Sequence, residues 1–227
     1  MPLGAIASQQ GTGDTGDTEA GMLDFVNDVY FGPSGEALAL ADVVDLTARR
    51  SASGLSCVAS TPVQLIGAWR DLLITSSDWS AVIEFYAGPD LGLTGAARRA
   101  YLLTMHPTAD YSAQIALYTE GDGTGVTSRY FEDDGVGNDR FAQNAYSGTP
   151  STVLTIAGGR SDINFAVSIG GETAVTDSTD IAFDDWLLPA GKIDLADGGS
   201  GVGGTYIRSI TFSVPAISNS ELATSTA

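Results

Sequence analysis

The sequence contains very few residues of the kinds that build disulfides, metal centres or nucleophilic active sites. Its 227 residues include one cysteine, Cys57, and one histidine, His106. A single cysteine excludes a disulfide within the chain, and its apolar neighbours in the segment GLSCVAS predict a buried structural thiol. With no second histidine and no recognisable base–nucleophile pairing, a catalytic triad cannot be assembled around His106 in the usual way.

Positive charge is also scarce, since Lys and Arg number 10 against 28 Asp and Glu, for a net charge of −18. A surface this acidic repels nucleic acid and anionic membranes. It favours either a calcium-binding or basic-partner surface, or simple solubility in a salty medium. No apolar run reaches the roughly 18 residues that span a bilayer. The start of the chain lacks the pattern of a signal peptide, so we expect synthesis in the cytoplasm.

Glycine, threonine and serine are abundant instead, and they separate short runs of strand-forming residues. The clearest run is Trp79–Ala87, in which apolar residues alternate with more polar ones at the period of a β-strand. An Asp-Gly signal in Gly121–Gly125 predicts a hairpin turn. Such runs recur roughly every 8–14 residues with turn signals between them, which predicts an all-β sandwich of the jelly-roll type.

The ends of the chain are expected to meet. Tyr206–Val214 is a strand pattern bounded by Gly-Gly and Pro215, with Arg208 as its single charge. Its best early partner is Met22–Phe31, which we predict to be one strand. Residues 1–21 contain almost no core-forming residues after Ile6 and are predicted to be an extended assembly arm or a disordered tail.

Two further segments remain open between helix and strand. Ala37–Thr47 is apolar without a clear period, and Val63–Thr75 has helical spacing that Gly67 weakens. We therefore expect a sandwich over residues 22–217 and a C-terminal tail over 218–227. Within that tail, the spacing of Ser218 and Glu221 is that of a capping box and predicts one short helical turn.

The segments YIRSITF…PAISNSEL and LDFVNDVYF…LADVVDLTARRSASG resemble the closing and opening parts of concanavalin-A-like (laminin-G-like) jelly rolls in tailed-phage virion proteins. The hairpin INFAVSIGG is similar to the same pattern. The resemblance implies a concanavalin-A-like jelly-roll sandwich with an extended N-terminal arm, located in a virion. It also implies virion partners in the capsid or tail and a symmetric oligomer, for which we predict a trimer.

An acidic, glycine-rich segment, Glu132–Asp139, is the candidate metal site. Its oxygen ligands for Ca²⁺ would come from Asp133, Asp134, Asn138 and Asp139. The segment lacks the bidentate glutamate of an EF-hand, and the alternative is a solvated acidic loop with ordinary turn chemistry. No other cofactor is indicated.

Trp186, flanked by Asp184 and Asp185, is the candidate ligand-binding group, because an exposed tryptophan can stack on a sugar ring; the alternative is a buried tryptophan at an edge. Glycoside hydrolysis needs two carboxyl groups facing one cleft. Glu84 is alone in its strand, and adjacent aspartates point to opposite faces of a strand. We therefore predict that the chain is not an enzyme.

Two functions follow from these observations. The first is a structural subunit of a tailed-phage particle, such as a head decoration, head fibre or tail subunit, which contacts its neighbours through residues 1–21. The second is a carbohydrate-binding module that recognises a host-surface glycan, and both roles can exist in one virion protein. Basic contacts to a capsid are expected from the two arginine doublets, Arg49–Arg50 and Arg98–Arg99.

Overall fold

The computed structural model describes residues 19–89, 91, 99–106, 114–121, 126–133, 139–146, 151–161, 164–177, 191–198 and 203–227. These residues form two mainly antiparallel sheets that share one hydrophobic core. The predicted all-β jelly-roll sandwich is therefore confirmed. Residues 1–18, most of the predicted arm, lie outside the described part of the chain.

The described strands are short and follow one another with few helical interruptions. In chain order they are β1 (Glu19–Asp24), β2 (Val29–Phe31), β3 (Ala37–Leu38), β4 (Arg50–Ser51), β5 (Gly54–Ser56), β6 (Val58–Ala59), β7 (Val63–Leu65), β8 (Asp78–Tyr86), β9 (Arg99–His106), β10 (Gln114–Gly121), β11 (Val126–Asp133), β12 (Asp139–Tyr146), β13 (Val153–Ser161), β14 (Asn164–Ile169), β15 (Val175–Asp177), β16 (Lys192–Gly198) and β17 (Tyr206–Val214). Single 3-10 turns occupy Leu40–Asp42 and Thr47–Arg49, and the two α-helices are α1 (Gly67–Leu73) and α2 (Asn219–Ser225).

The strands divide into a ten-stranded sheet and a seven-stranded sheet. The ten-stranded sheet has the order β15-β14-β13-β8-β17-β1-β2-β3, and the hairpin of β4 and β5 joins it through β17. The seven-stranded sheet has the order β12-β11-β10-β9-β16-β6, and β7 also pairs with β16. Neighbours in sequence are thus often separated in the sheets, which is how a jelly roll brings distant segments together.

β8 and β17 lie side by side at the centre of the ten-stranded sheet. The predicted alternation of β8 is confirmed, because Trp79, Ala81, Ile83 and Phe85 are all fully buried on its core face. The opposite face of β8 carries Glu84, whose Oε1 accepts a hydrogen bond from Nε of Arg208 at 2.6 Å. The single charges of the two most regular strand patterns therefore form one ion pair on the outside of the sandwich.

β17 also pairs with β1, which confirms that the closing strand meets an early strand. The prediction of one strand over Met22–Phe31 is wrong, since the chain turns back after Asp24 and returns as β2. The Asp24 carboxylate causes this turn by accepting hydrogen bonds from the backbone N–H groups of Val26 and Asn27. β1 begins at Glu19, three residues before the start that the sequence predicts for the sandwich.

Both ambiguous segments combine short elements. Val63–Thr75 is a strand followed by a helix, and Gly67 starts that helix at φ +68, where a Cβ would lie 2.5 Å from the carbonyl oxygen of Asp42. A glycine is thus required there rather than merely tolerated. Trp69 of α1 is buried, donates a 2.7 Å hydrogen bond from Nε1 to the carbonyl of Phe31, and packs on Phe212 at a ring-centroid distance of 5.2 Å. The helix therefore closes one part of the core.

The predicted C-terminal tail is docked on the sandwich. Ser218 and Glu221 form the capping box that their spacing predicts, and α2 follows. Leu222 is 1% exposed and packs against Ala157 and Ala166, on the outer face of the ten-stranded sheet. None of the described helices is both long and apolar enough to span a membrane.

Cys57 is buried in the core cluster, as predicted. Burial in apolar surroundings raises the pKa of its thiol to about 12, because the thiolate would lose its hydration there. The thiol is therefore neutral and structural at physiological pH.

Candidate functional site

The seven-stranded sheet has one apolar face and one polar face. Its apolar face belongs to the core and includes Leu103, Met105 and Ile193, all fully buried. Side chains alternate along a strand, so the intervening residues lie on the side away from the core. We call this side the polar face, and it is defined by eight residues, Arg99, Tyr101, Thr104, His106, Tyr118, Arg129, Asp194 and Asp197.

Paired irregularities in β9 and β16 create this face. Tyr101 and Leu103 pair with adjacent residues of β10, so Leu102 is an extra residue at a β-bulge. The matching residue of β16, Ala196, has φ +54 in the left-handed region. Because of these irregularities Asp194 and Asp197 share the polar face, although three-residue spacing would put them on opposite faces of a regular strand.

The chain's one histidine lies on this face and is paired. Nε2 of His106 lies 3.0 Å from Oδ2 of Asp194, and the two residues are 4% and 2% exposed. The two side chains are diagonal neighbours on adjacent strands, a geometry that fixes the orientation of the imidazole. Local sequence patterns do not predict this pair, because the partners are 88 residues apart.

A cluster of two tyrosines and two arginines lies next to this pair. The rings of Tyr101 and Tyr118 are 5.0 Å apart, and the Arg99 guanidinium carbon lies 5.5 Å from the centroid of the Tyr118 ring. Nη1 of Arg129 donates to the Tyr118 hydroxyl at 3.3 Å. Tyr118 is 4% exposed, while Tyr101 and both arginines are half-buried. In this cluster the ring of Tyr118 is buried, and the more accessible ring of Tyr101 and the two guanidinium groups surround it.

Asp197 faces Tyr101 across the ladder between β16 and β9. Partial burial raises the pKa of the Asp197 carboxyl, and the charge of Asp194 raises it further. Hydrogen bonds from the backbone N–H groups of Ser60 and Gly198, together with the charge of Arg49, oppose this rise in pKa. The Asp197 carboxyl is thus harder to ionise than that of an exposed aspartate, and its ionisation depends on the neighbouring charges of Asp194 and Arg49.

Of the residues predicted to bind calcium, Asp133 and Asp139 are the last residue of β11 and the first of β12, and they pair directly. The strands therefore extend into the predicted acidic loop from both sides. Asp134 and Asn138 lie outside the described residues. Within the described ranges no group of three or more His, Cys, Asp or Glu side chains is placed to hold a metal ion. The calcium site stays a prediction.

The predicted ligand-binding residues Asp184, Asp185 and Trp186 also lie outside the described residues. Arg49 and Arg50, which we expect to contact a capsid, bind backbone carbonyls within the sandwich, and the capsid contact stays a prediction. Arg49 donates to the carbonyl of Thr61, and Arg50 donates to the carbonyls of Phe25 and Val26. Their guanidinium groups brace loops of this chain.

A small cleft lies between α2 and the ends of β13 and β14, lined by Arg160, Asn164 and Asn219 among others. Its volume is about 40 Å³. Sites for drug-sized ligands enclose roughly 300–1,000 Å³. The cleft is therefore too small for a sugar ring, and the polar face is the better candidate site.

No protein-family model matches the sequence, and no curated protein matches it. Similar folds occur among solved structures. The carbohydrate-binding module CBM40 of Ruminococcus gnavus IT-sialidase, bound to α2,3-sialyllactose, has a TM-score of 0.53 and 13% identity. The match covers 69% of this chain and 86% of that module.

Two larger proteins contain a similar sandwich. The sialidase of Trypanosoma rangeli has a TM-score of 0.53 and 13% identity, with 90% of this chain and 31% of the sialidase covered. The leech intramolecular trans-sialidase has a TM-score of 0.52 and 16% identity, with 68% of this chain and 24% of that enzyme covered. The chain thus spans under a third of either enzyme. Together these structures show that the chain has the β-sandwich fold of lectin-like domains.

Proposed function

We propose that this protein is a carbohydrate-binding module and that its polar face holds the glycan. The observation that carries the proposal is the match of its sandwich to most of a module that was solved with a bound sialylated sugar. The identity of 13% supports a shared fold, so the ligand is inferred from the side chains of this chain. Carbohydrate binding is the alternative that the sequence offers to a virion structural role.

The side chains of the polar face suit a sugar that carries a carboxylate. Arg99 and Arg129 approach Tyr118 from its ring face and its hydroxyl, so two positive charges lie close together in a strongly acidic protein. A guanidinium group matches a carboxylate in shape and charge. Tyr101 is the more accessible ring of the pair and could pack on the apolar face of a pyranose.

The buried groups of the face have a supporting role. The contact between His106 and Asp194 fixes two polar groups below the surface, and Tyr118 is packed beneath its arginines. Such a rigid base lowers the conformational entropy that a protein loses when it binds a ligand. We assign no bond-breaking step to this face, so the proposed activity is binding alone.

The test is calorimetric titration of the full chain with 3′-sialyllactose and, in parallel, with lactose. We expect saturable binding of the sialylated sugar and at least roughly fivefold weaker binding after Arg129→Gln, since a charged hydrogen bond contributes more than about 1 kcal/mol. Arg50→Gln removes a positive charge outside the polar face and is the matched control, with folding checked by circular dichroism. Equal titration curves for the two sugars, or an unchanged affinity in Arg129→Gln, would contradict the proposed site.

A further inference from the structure

The outer face of the ten-stranded sheet has two halves with different surroundings. One half, around Ala157 and Ala166, is covered by Leu222 of α2. The other half lies toward the opposite ends of β8, β13 and β17, and Val153 there is 47% exposed. A valine this exposed on a sheet face lies on a surface that a ligand could reach.

Three side chains form a row across this second half. Val153 pairs with Tyr86, and Tyr86 pairs with Tyr206, on three adjacent strands. The next row, Leu154, Phe85 and Ile207, points into the core. Both tyrosines are half-buried, and neither hydroxyl has a hydrogen-bond partner in the described part of the chain. The row therefore presents two partly exposed tyrosines whose hydroxyl groups make no hydrogen bond to the described part of the chain.

The ion pair of Glu84 and Arg208 lies next to this row. Arg208 is the extra residue of an irregularity between β17 and β8, and its carbonyl accepts a hydrogen bond from Phe25. The side chains of Arg208 and Glu84 are 32% and 41% exposed. Only Nε of the guanidinium and Oε1 of the carboxylate contact each other. Among the described residues, both Nη groups of Arg208 and Oε2 of Glu84 have no partner.

We propose that these five residues, Glu84, Tyr86, Val153, Tyr206 and Arg208, form a second carbohydrate-binding surface, which we call the tyrosine platform. Its ligand class is a neutral hexopyranose oligosaccharide. The apolar face of a pyranose packs on the tyrosine rings, and its hydroxyl groups accept from Arg208 and donate to Glu84. The ion pair has no net charge, so the platform offers donors and an acceptor without selecting an anion.

The platform is thus distinct from the polar face in position and in charge. The two surfaces lie on the outer sides of different sheets, and the polar face brings two arginines together. The inference rests on the proposed carbohydrate-binding function. It adds a second site with a different sugar class, so that one sandwich could contact two glycan segments.

The test is a titration of the full chain with cellohexaose and with maltohexaose, followed by the amide NMR spectrum. Their concentration is raised to about 10 mM, above the roughly 1 mM dissociation constant of a weak complex. We expect one hexaose to bind and to shift amides of β8, β13 and β17. Tyr206→Ala and Arg208→Gln should each weaken that binding roughly fivefold or more.

Two control variants keep this test specific. Val175→Ala changes an exposed valine on the edge strand of the same sheet and should leave hexaose affinity unchanged. Tyr206→Phe keeps the ring and removes the hydroxyl, so it should retain affinity within roughly twofold if ring packing dominates. Retained affinity in Tyr206→Phe shows that a loss in Tyr206→Ala comes from the missing ring, and Val175→Ala shows whether a truncation elsewhere in the sheet weakens binding.

The outcomes separate the two proposals. If 3′-sialyllactose binds through Arg129 but neither hexaose binds, or hexaose binding ignores Tyr206→Ala and Arg208→Gln, the platform is overturned and the polar face stands. If hexaose binding depends on Tyr206 and Arg208, the platform is supported whether or not sialyllactose binds. If no sugar binds to the folded protein, both proposals are overturned.

Discussion

Asp197 on the polar face makes the stability of the protein depend on pH, because its carboxyl group is partly buried. Its pKa is raised in the folded protein, mainly by partial burial, so the folded state holds the Asp197 proton more tightly than the unfolded state does. The contribution to stability is therefore fully present below the unfolded pKa of roughly 3.9 and is lost as the pH rises through the folded pKa. At neutral pH the ionised Asp197 lowers the free energy of unfolding.

We predict that Asp197→Asn raises the free energy of unfolding at pH 7, because the amide keeps an acceptor for the backbone N–H groups and carries no charge. The gain should shrink as the pH falls toward the unfolded pKa. Urea denaturation at several pH values measures both effects. Asp71→Asn, at an exposed surface pair, is the control and should change stability by less than about 1 kcal/mol at any pH. A gain that is constant with pH would contradict the assigned cause.

Both the backbone conformation of Gly54 and its close approach to Ile207 require a glycine at this position. It has φ +118, and a Cβ there would overlap the carbonyl oxygen of Ile207 in β17. We predict that Gly54→Ala lowers the free energy of unfolding by at least about 2 kcal/mol, because strain and a backbone clash add. Gly35 has φ +80 with open space around it, so Gly35→Ala should cost only about 1 kcal/mol. Equal losses in the two variants would show that the clash is absent.

The C-terminal helix α2 is part of the sandwich. Besides its contact through Leu222, the Thr226 hydroxyl lies 3.0 Å from the Ser168 hydroxyl and accepts a 2.9 Å hydrogen bond from the N–H of Gly171. The backbone N–H of Ala216 donates to Asp78 at 2.8 Å. The last residues of the chain thus cover small side chains of the sheet that would otherwise face water.

We predict that Leu222→Ala lowers the free energy of unfolding by about 2–3 kcal/mol, the range for a buried leucine that leaves a partly relaxed cavity. Leu46 is 39% exposed, and Leu46→Ala is the control, with an expected change within about 0.5 kcal/mol. Chemical denaturation of the two variants checks this. If Leu222→Ala is as stable as the unmodified protein, the helix is not docked in solution.

The elements differ in how far the sequence predicts them. β8 and the meeting of β17 with β1 follow from local alternation and from chain ends that must pair. The hairpin in Met22–Phe31 escaped prediction because its turn depends on hydrogen bonds of one side chain, Asp24. The polar face escaped prediction because a bulge at Leu102 and the left-handed Ala196 shift the alternation, and neither carries a glycine or proline signal.

Site residues were harder to predict than strands for a physical reason. His106 and Asp194, and likewise Glu84 and Arg208, are brought together by register between strands that are far apart in sequence. Single-sequence patterns report which face a residue occupies but not which strand lies beside it. The predicted calcium ligands and the predicted ligand-binding group around Trp186 rest on local composition alone, and both stay predictions.

The sandwich fold of the molecule is established, and its partners are proposals. A virion location, capsid or tail contacts through the N-terminal arm, and a trimer stay predictions from the resemblance. The start of β1 limits the length of the arm. Glu19, Ala20 and Gly21 already belong to the sandwich, since they pair with Val214, Ser213 and Phe212 of β17. A deletion from the N-terminus that spares β1 can therefore extend no further than residue 18.

We predict that removal of residues 1–18 leaves the free energy of unfolding unchanged, whereas removal of 1–21 lowers it, because the second deletion removes half of β1. Denaturation measures this, and light scattering on the full chain and the shorter deletion measures assembly. If the full chain is oligomeric and the deletion of 1–18 is monomeric, the arm is an assembly element. If both are monomers, the assembly role of the arm is contradicted.

Binding of a glycan to the polar face of the seven-stranded sheet can be observed in the amide NMR spectrum of the full chain during titration with 3′-sialyllactose. We predict progressive shifts confined mainly to β9, β10, β11 and β16, around Tyr101 and Arg129, with smaller shifts after Arg129→Gln. An unchanged spectrum at saturating sugar, or shifts confined to the ten-stranded sheet, would contradict it.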